Sequence, residues 1–369
     1  MKPIIAVPAI AALVFRAWSK KSLTPAGIVA ALLTAIAHAV HPWNAPFALL
    51  CVFFLAGTGV TKVNHDVKAR LTHSSSGSPG GEGPRTHIQV LANSAVASVL
   101  ILLHAWQLSR EPDPVTAAQC WPRGSDVLIV GIVANYAAVA ADTFSSELGI
   151  LSRTPPRLIT APWRTVPRGT NGGVSDIGFA TGLMGSLLLA GTATLLLPFC
   201  SPAWDPKARF GFTMLMTFAG LCGTVIDSLL GAVLQASVVD TRTGKVVEGD
   251  GGRKVKVHSA GSAHLKQRAV VREALTGDAK EGDDPVAQSS GVAAPRTEAD
   301  GARHRAAEKA GSVLPGPDDG ESRRVVVGWD VLSNNGVNIV MAALVSGGSM
   351  AAAAWTWGLQ PADVLAGLL

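Results

Sequence analysis

Two carboxyl side chains, Asp142 and Glu147, stand near the end of a long apolar segment that begins before Asn135. Asn135, Asp142 and Ser146 fall on one helical face, because seven residues nearly complete two turns. Ionisable groups at membrane depth usually mark substrate, ion or proton sites, which makes Asp142 a functional candidate. A helix-end carboxylate solvated by lipid headgroups is the alternative. Glu147 lies about 140° from Asp142 around a helix and shares its pocket only if the helix ends there.

A glycine-rich stretch, Arg168-Gly169-Thr170-Asn171-Gly172-Gly173-Val174-Ser175, leads directly into another apolar segment. Glycines allow backbone N–H groups to converge, and the start of a helix adds free donors and a positive dipole. Arg168 adds a permanent fork of donors. This pattern predicts a phosphate-binding loop, although it lacks the Walker spacing. A simple flexible turn is the alternative.

A third polar site, Asp227, lies in an apolar segment with Gly220, Gly223 and Gly231 on the same helical face. Small residues allow close helix contact, which would bury Asp227 against a neighbour. One interpretation is a packing contact with a paired aspartate. The other is a second carboxylate, beside Asp142, for a hard cation such as Mg²⁺.

The elements that position these residues follow from composition. The chain has 369 residues, and 29 of its 57 charged residues lie in the 88 residues 237–324. The remaining 281 residues therefore carry 28 charges, too few to cover a soluble protein. Mean hydropathy is +0.32. The basic excess of +5 comes with no nucleic-acid-binding motif, so no nucleic-acid partner is expected. The cysteines show no CxxC spacing, and no disulfide framework is predicted.

The sequence thus predicts an all-α, polytopic integral membrane protein with about seven or eight transmembrane helices. Spans of roughly 20 apolar residues are required, and the candidates are 4–18, 24–41, 43–60, 88–108, 126–145, 176–200, 208–235 and 336–357. All nine tryptophans fall at segment ends or in loops, as expected for rings that prefer the headgroup level. The segment 237–324, rich in Gly, Ala, Ser and charge, is predicted to be disordered and to add little to folding.

Three regions follow: a membrane domain over 1–236, a disordered cytoplasmic insert over 237–324, and 325–369 with the last transmembrane helix. Connections that follow odd-numbered spans carry ten Lys and Arg residues, and the opposite connections carry four. Basic loops remain in the cytoplasm, so the polar patches are predicted to face the cytosol and both termini the lumen or exterior.

Six stretches of the sequence resemble the transmembrane protein nineteen family. That group is similar to phytyl-phosphate kinase and more remotely to CTP-dependent polyprenol and dolichol kinases. The resemblance covers the spans from about residue 24 to 357, without 237–324. The matching stretches are Thr61-Lys62, Gly83-Pro84-Arg85, Gln89–Asn93, Asp142–Gly149, Arg168–Ser175 and Asp227–Gly231.

The resemblance implies transfer of a phosphoryl group from CTP or another nucleoside triphosphate to an isoprenoid alcohol or its monophosphate. On this hypothesis Asp142 and Asp227 hold Mg²⁺, and either Asp142 or Glu147 accepts the proton. Donor phosphates are bound by the loop and two cations, namely Lys62, Arg168, Gly169, Thr170, Asn171, Gly172, Gly173 and Ser175. The partners are then the bilayer, the isoprenoid lipid and the nucleotide, while the oligomeric state is left open.

A membrane transporter or non-enzymatic factor is the rival hypothesis, with the intramembrane carboxylates as ion or proton sites. Polar patches on one face rather than at mid-membrane favour the kinase. The related plastid enzymes begin with a transit peptide that has no counterpart here. An endomembrane such as the endoplasmic reticulum is therefore the expected location.

Overall fold

The structure is a computed structural model that describes residues 3–74, 83–111, 113, 115, 119–122, 126–200, 202–255, 323–360 and 362. Within these residues, eight apolar helices form the body of the protein. They are α1 (Pro3–Ser19), α2 (Pro25–Ala39), α3 (Ala45–Lys62), α5 (His87–Ser109), α6 (Leu128–Gly149), α7 (Asp176–Leu196), α8 (Pro206–Leu234) and α9 (Asn334–Thr356). A short helix, α4 (His65–Ala69), lies between α3 and α5. The predicted helical, polytopic membrane architecture is confirmed.

Six of these helices, α3 and α5 to α9, are long and apolar enough to cross a membrane. Helices α1 and α2 are also apolar but have 17 and 15 residues, shorter than the roughly 20 that a bilayer requires. Several helices begin at the caps that their sequences provide. The N-cap side chains that accept a backbone N–H of the first turn are Thr24, Thr86, Ser175, Asp205 and Ser333.

Helix α6 occupies the centre of the bundle. Of its most apolar 18 residues 83% are buried, against 33–44% for the other five long helices. Its small side chains allow neighbours to approach closely: a Cβ on Gly220 of α8 would lie 2.7 Å from the backbone of Ala137, and one on Gly185 of α7 would lie 2.7 Å from the Ala140 carbonyl. The predicted close contact of the α8 glycine face is thus present, and it packs α8, which carries Asp227, against α6, which carries Asp142.

Two small sheets, not anticipated from the sequence, are built by the connections that follow α3, α6 and α8, the third, fifth and seventh of the eight apolar helices. The first has the order β1-β6-β5-β7, with strands β1 (Thr72–Ser74), β5 (Ser237–Asp240), β6 (Val246–Glu248) and β7 (Arg323–Val327). The second has the order β3-β2-β4, with β2 (Arg157–Leu158), β3 (Ala161–Thr165) and β4 (Gly173–Val174). Because β1 pairs with β6 along Thr72–Ser74, two distant connections meet at one end of the bundle.

The prediction of disorder over 237–324 is wrong at both ends of that segment. Val238, Val239, Val246 and Val247 are buried in the first sheet, so two short pairs of valine, a residue common in strands, form strands that overall composition concealed. A short 3₁₀ turn, Asp250–Gly252, then contacts α9, where the Asn335 side chain donates to the Gly251 carbonyl at 3.0 Å. Residues 256–322 lie outside the described residues, and the three-region division stays a prediction.

Two linker replacements inside this segment should therefore differ sharply in their effect on the melting temperature. We expect a Gly/Ser linker in place of residues 256–322 to leave the melting temperature unchanged. Replacing 245–318 removes β6 and the Asn335–Gly251 hydrogen bond, and should lower the melting temperature by roughly 5 °C, at about 1 kcal/mol per lost bond. Thermal unfolding of both variants in detergent measures this, and equal melting temperatures would show that the ordered ends add nothing.

A disulfide joins Cys120 to Cys200, contrary to the expectation from cysteine spacing. The partners are 80 residues apart, a separation that gives no local signal. Cys120 follows α5 and Cys200 follows α7, the fourth and sixth of the eight apolar helices, and both lie beside a cluster of Trp121, Phe199 and Trp204. Disulfides persist in oxidising compartments, which agrees with the prediction that the connections holding these cysteines lie opposite the predicted cytosolic face.

The orientation is testable with single cysteines at exposed positions. In sealed vesicles with the cytosolic face outward, Thr160→Cys should react with a membrane-impermeant maleimide at once. Lys207→Cys, in the first turn of α8 at the opposite end of the bundle, should react only after permeabilisation. The reverse pattern would invert the predicted topology.

Candidate active site

A cavity of about 670 Å³ lies at the end of the bundle where the two sheets meet the helices. Its walls include the ends of α6 and α8, the beginnings of α5, α7 and α9, and residues between 246 and 255. Ten of the eleven site residues predicted from the sequence line it: Asp142, Glu147, Arg168, Gly169, Thr170, Asn171, Gly172, Gly173, Ser175 and Asp227. Lys62 is exposed at the end of α3 and does not line this cavity.

Asp142 of α6 and Asp227 of α8 form the polar centre of the cavity. Their carboxyl groups lie within hydrogen-bonding reach of each other. The two helices are joined beside them by Ser145 and Thr224, whose hydroxyl oxygens are 2.7 Å apart. The amide of Asn338 on α9 lies 3.3 Å from Asp227 Oδ2. Three helices, α6, α8 and α9, therefore position one carboxyl pair, and the contribution of α9 was not anticipated from the sequence.

Two neighbouring carboxylates repel unless a proton or a cation lies between them. Among the described residues no group of three or more His, Cys, Asp or Glu side chains forms a metal site. Mg²⁺ does not require one, since it commonly binds one or two carboxylates and completes its shell with water and substrate phosphate oxygens. The pair of Asp142 and Asp227 fits this hard cation better than a metal that needs a full protein cage.

Glu147, the second candidate proton acceptor, is engaged by Lys68 in an ion pair of 2.5 Å. The same ammonium donates to the carbonyls of Val60 (3.2 Å) and Thr61 (2.7 Å) at the end of α3. All three ammonium hydrogens thus have acceptors, and the buried Lys68 fastens α3 to α6. The sequence showed Lys68 only as one more basic loop residue, because its partner is 79 positions away.

The glycine-rich loop surrounds the cavity, but several of its backbone donors are already used. The N–H of Asn171 donates to Ser237 Oγ at 2.9 Å, and that of Gly173 donates to the Thr170 carbonyl at 2.9 Å. Gly172 has a positive φ of 74° and sits against α8, where a Cβ would lie 2.7 Å from the Ser228 carbonyl. In this conformation the loop packs against α8 near Asp227. Several of its backbone N–H groups already have acceptors and are therefore not free to bind a phosphate.

Besides Lys68, which is paired with Glu147, the Lys and Arg residues that line the cavity are Arg168, Arg253 and Lys254. The Arg168 guanidinium donates to the Arg153 carbonyl at 3.2 Å and retains further donors. Lys254 donates to the carbonyls of Asp330 (2.8 Å) and Val331 (2.9 Å) and forms an ion pair with the Asp330 carboxylate at 3.3 Å, so its three ammonium hydrogens already have acceptors. Arg253 and Lys254 were missed because they lie within the segment assigned to disorder. The short Val-Val pair of β6 just before them was the available signal.

The family described as integral membrane protein DUF92 matches residues 8–346 of this chain. The chain belongs to this family of integral membrane proteins. Protein PGR of Arabidopsis thaliana is 37% identical over 266 residues, covering 69% of this chain and 85% of that protein. The predicted resemblance to the transmembrane protein nineteen group is thereby confirmed.

Two further relatives extend the family. An uncharacterised membrane protein of Methanocaldococcus jannaschii is 29% identical over 187 residues, 51% of this chain and 64% of that protein. Protein VTE6, chloroplastic, of Arabidopsis thaliana is 29% identical over 174 residues, 47% of each chain. No solved structure matches the chain. The location in the endoplasmic reticulum has no support here, because the one relative above whose name states an organelle is chloroplastic.

Proposed function

We propose that this protein is a nucleotide-dependent kinase that phosphorylates an isoprenoid alcohol or its monophosphate at the cytoplasmic face of a membrane. The observation that supports it most is the carboxyl pair of Asp142 and Asp227 within a polar cavity that also presents Arg168, Arg253 and Lys254. Carboxylates facing several cations suit a metal–nucleotide complex, in which the metal meets the former and the phosphates meet the latter.

Each side chain has a role that its contacts allow. Asp142 and Asp227 would hold Mg²⁺, which neutralises phosphate charge when bound. Arg168 and Arg253 orient the donor phosphates with the bidentate geometry that lysine lacks, while Lys254 is already paired with Asp330. Because Glu147 is paired with Lys68, we assign it to holding α3 and α6 together. Asp142 then remains the better placed of the two predicted acceptors for the substrate hydroxyl proton.

Phosphoryl transfer is tested with purified protein in lipid nanodiscs, Mg²⁺ and radiolabelled CTP or ATP. Prenyl alcohols and prenyl monophosphates of several chain lengths serve as acceptors. We expect a labelled lipid product from at least one pair, and none when EDTA replaces Mg²⁺. A transporter would give no labelled lipid, while its Asp142→Asn variant would change the pH or ion dependence of uptake.

The proposed location is an endomembrane whose cytosolic face, which meets nucleotides, carries the site. Subcellular fractionation of the tagged full-length chain, with markers for plastid, endoplasmic reticulum and Golgi membranes, decides it.

A further inference from the structure

An exposed basic and aromatic surface lies at the cavity end of the bundle, outside the cavity itself. From the end of α6 to the start of α7, residues 148–175 contain four arginines and no acidic residue. Strand β3 is an outer strand of its sheet, and its Trp163 and Arg164 are both exposed, Trp163 at 81%. Arg157 on the neighbouring strand β2 is also exposed. None of these three side chains lines the cavity.

The two arginines of this surface retain most of their hydrogen-bond donors. Arg157 donates to the Pro162 carbonyl at 3.0 Å, and Arg164 donates to the Val326 carbonyl at 3.2 Å. Within the described part of the chain, neither guanidinium forms an ion pair with a carboxylate. A guanidinium carries five N–H donors in a fork that matches a phosphate group, so both side chains can still bind one.

Trp329 indicates the height of this surface along the helices. It follows β7, is 75% exposed, and its backbone N–H donates to the Val233 carbonyl at 2.9 Å in the last turn of α8. Val233 is exposed, as is Leu229 one turn earlier, which is expected of the lipid-facing side of a transmembrane helix. Trp329 therefore lies where apolar helix surface ends, the level that tryptophans prefer at a membrane boundary. Val326, which Arg164 contacts, is three residues earlier and thus within about 10 Å of it.

We propose that this surface, formed by Arg157, Trp163, Arg164 and Trp329, binds the phosphate groups of anionic phospholipids in the leaflet beside it. Basic side chains near a bilayer attract anionic headgroups, and here no acidic residue of residues 148–175 opposes that attraction. The indole rings lie among the headgroups, and the two guanidinium groups bind phosphate oxygens. The inference is independent of the proposed kinase activity, because none of the four residues lines the cavity.

Native mass spectrometry of the full-length protein measures this lipid selection directly. The protein in detergent is incubated with equal amounts of phosphatidylglycerol and phosphatidylcholine that have identical acyl chains, and the retained lipids are counted. We expect the wild type to retain phosphatidylglycerol preferentially. Arg157→Gln combined with Arg164→Gln should lower the ratio of retained phosphatidylglycerol to phosphatidylcholine about tenfold, because each basic residue near the headgroups contributes to this attraction. Equal retention of the two lipids by the wild type would overturn the proposal.

Two matched variants separate headgroup binding from other effects. Arg157→Lys combined with Arg164→Lys keeps both charges but loses the planar forks that reach the two backbone carbonyls, and its ratio should stay within about threefold of the wild type. Arg242→Gln combined with Lys245→Gln removes two charges from the turn between β5 and β6 and should leave the ratio unchanged. A lysine variant as impaired as the glutamine variant would show that the arginines act through those carbonyls. An equal loss in the turn variant would show that net charge alone sets the ratio, and either result would overturn the proposal.

Melting temperatures in the same detergent show whether each variant is folded. If the double glutamine variant is not, Arg157→Gln alone leaves the contact between Arg164 and Val326 intact. It should lower the lipid ratio about threefold, since one of the two charges remains. An unchanged ratio in this folded single variant would contradict a role for Arg157 in headgroup binding and overturn the proposed surface.

Discussion

Asp142→Asn and Asp227→Asn should each reduce metal-dependent phosphoryl transfer by about a hundredfold or more, while the protein stays folded. Asparagine keeps the shape of the side chain but removes the charge that holds a divalent cation. The carboxyl groups lie within reach of each other, so losing one negative charge also removes a repulsion and should not lower stability. Initial rates and thermal unfolding of the same preparations in nanodiscs measure both effects.

A matched control is available at Asp176. This carboxylate lies at the same end of the bundle, is exposed at the start of α7 and does not line the cavity. Asp176→Asn should retain activity within a few-fold, since surface charges at a helix start contribute little. Comparable losses in all three variants would mean that general charge, and not the carboxyl pair, governs the reaction.

Gly220→Val should destabilise the bundle by about 3 kcal/mol or more, because overpacking a close helix contact forces the helices apart. A Cβ at this position would lie 2.7 Å from the backbone of Ala137 on the central helix. Gly211→Val on the same helix is the control, since no heavy atom lies within 4 Å of its Cβ position. Tryptophan-monitored unfolding in detergent should show the loss in the first variant alone.

An equal melting temperature for the two valine variants would contradict the packing of α8 on α6. It would also remove the basis for placing Asp227 beside Asp142, because the same glycine face positions both contacts.

The long helices were predictable because hydropathy alone dictates which segments leave water. The proximity of Asp142 and Asp227 could be predicted for a related reason. An ionisable group in an apolar segment requires a partner, and two such groups on helix faces of small residues can come into contact. Their common helical faces contained that information. The local sequence was sufficient wherever the governing interaction was with solvent, lipid or an adjacent turn.

Pairings between distant residues were not predictable in this way. The Cys120–Cys200 disulfide, the Lys68–Glu147 ion pair and the pairing of β1 with β6 each join positions from 79 to more than 170 residues apart. Composition also averaged over the segment 237–324, which hid two short valine-rich strands among many charges. Hydropathy averaged over a window of five residues there would have indicated the strands, but not that β6 pairs with β1.

Nucleotide binding in the presence and absence of a divalent cation tests the central claim most directly. The wild-type protein in lipid is melted with CTP, ATP, GTP or UTP, each with Mg²⁺ and each with EDTA. The carboxyl pair predicts that at least one nucleotide raises the melting temperature with Mg²⁺ only, and that Asp227→Asn loses this shift. No metal-dependent shift with any of the four nucleotides, or a shift that Asp227→Asn retains, would contradict a metal–nucleotide site at Asp142 and Asp227.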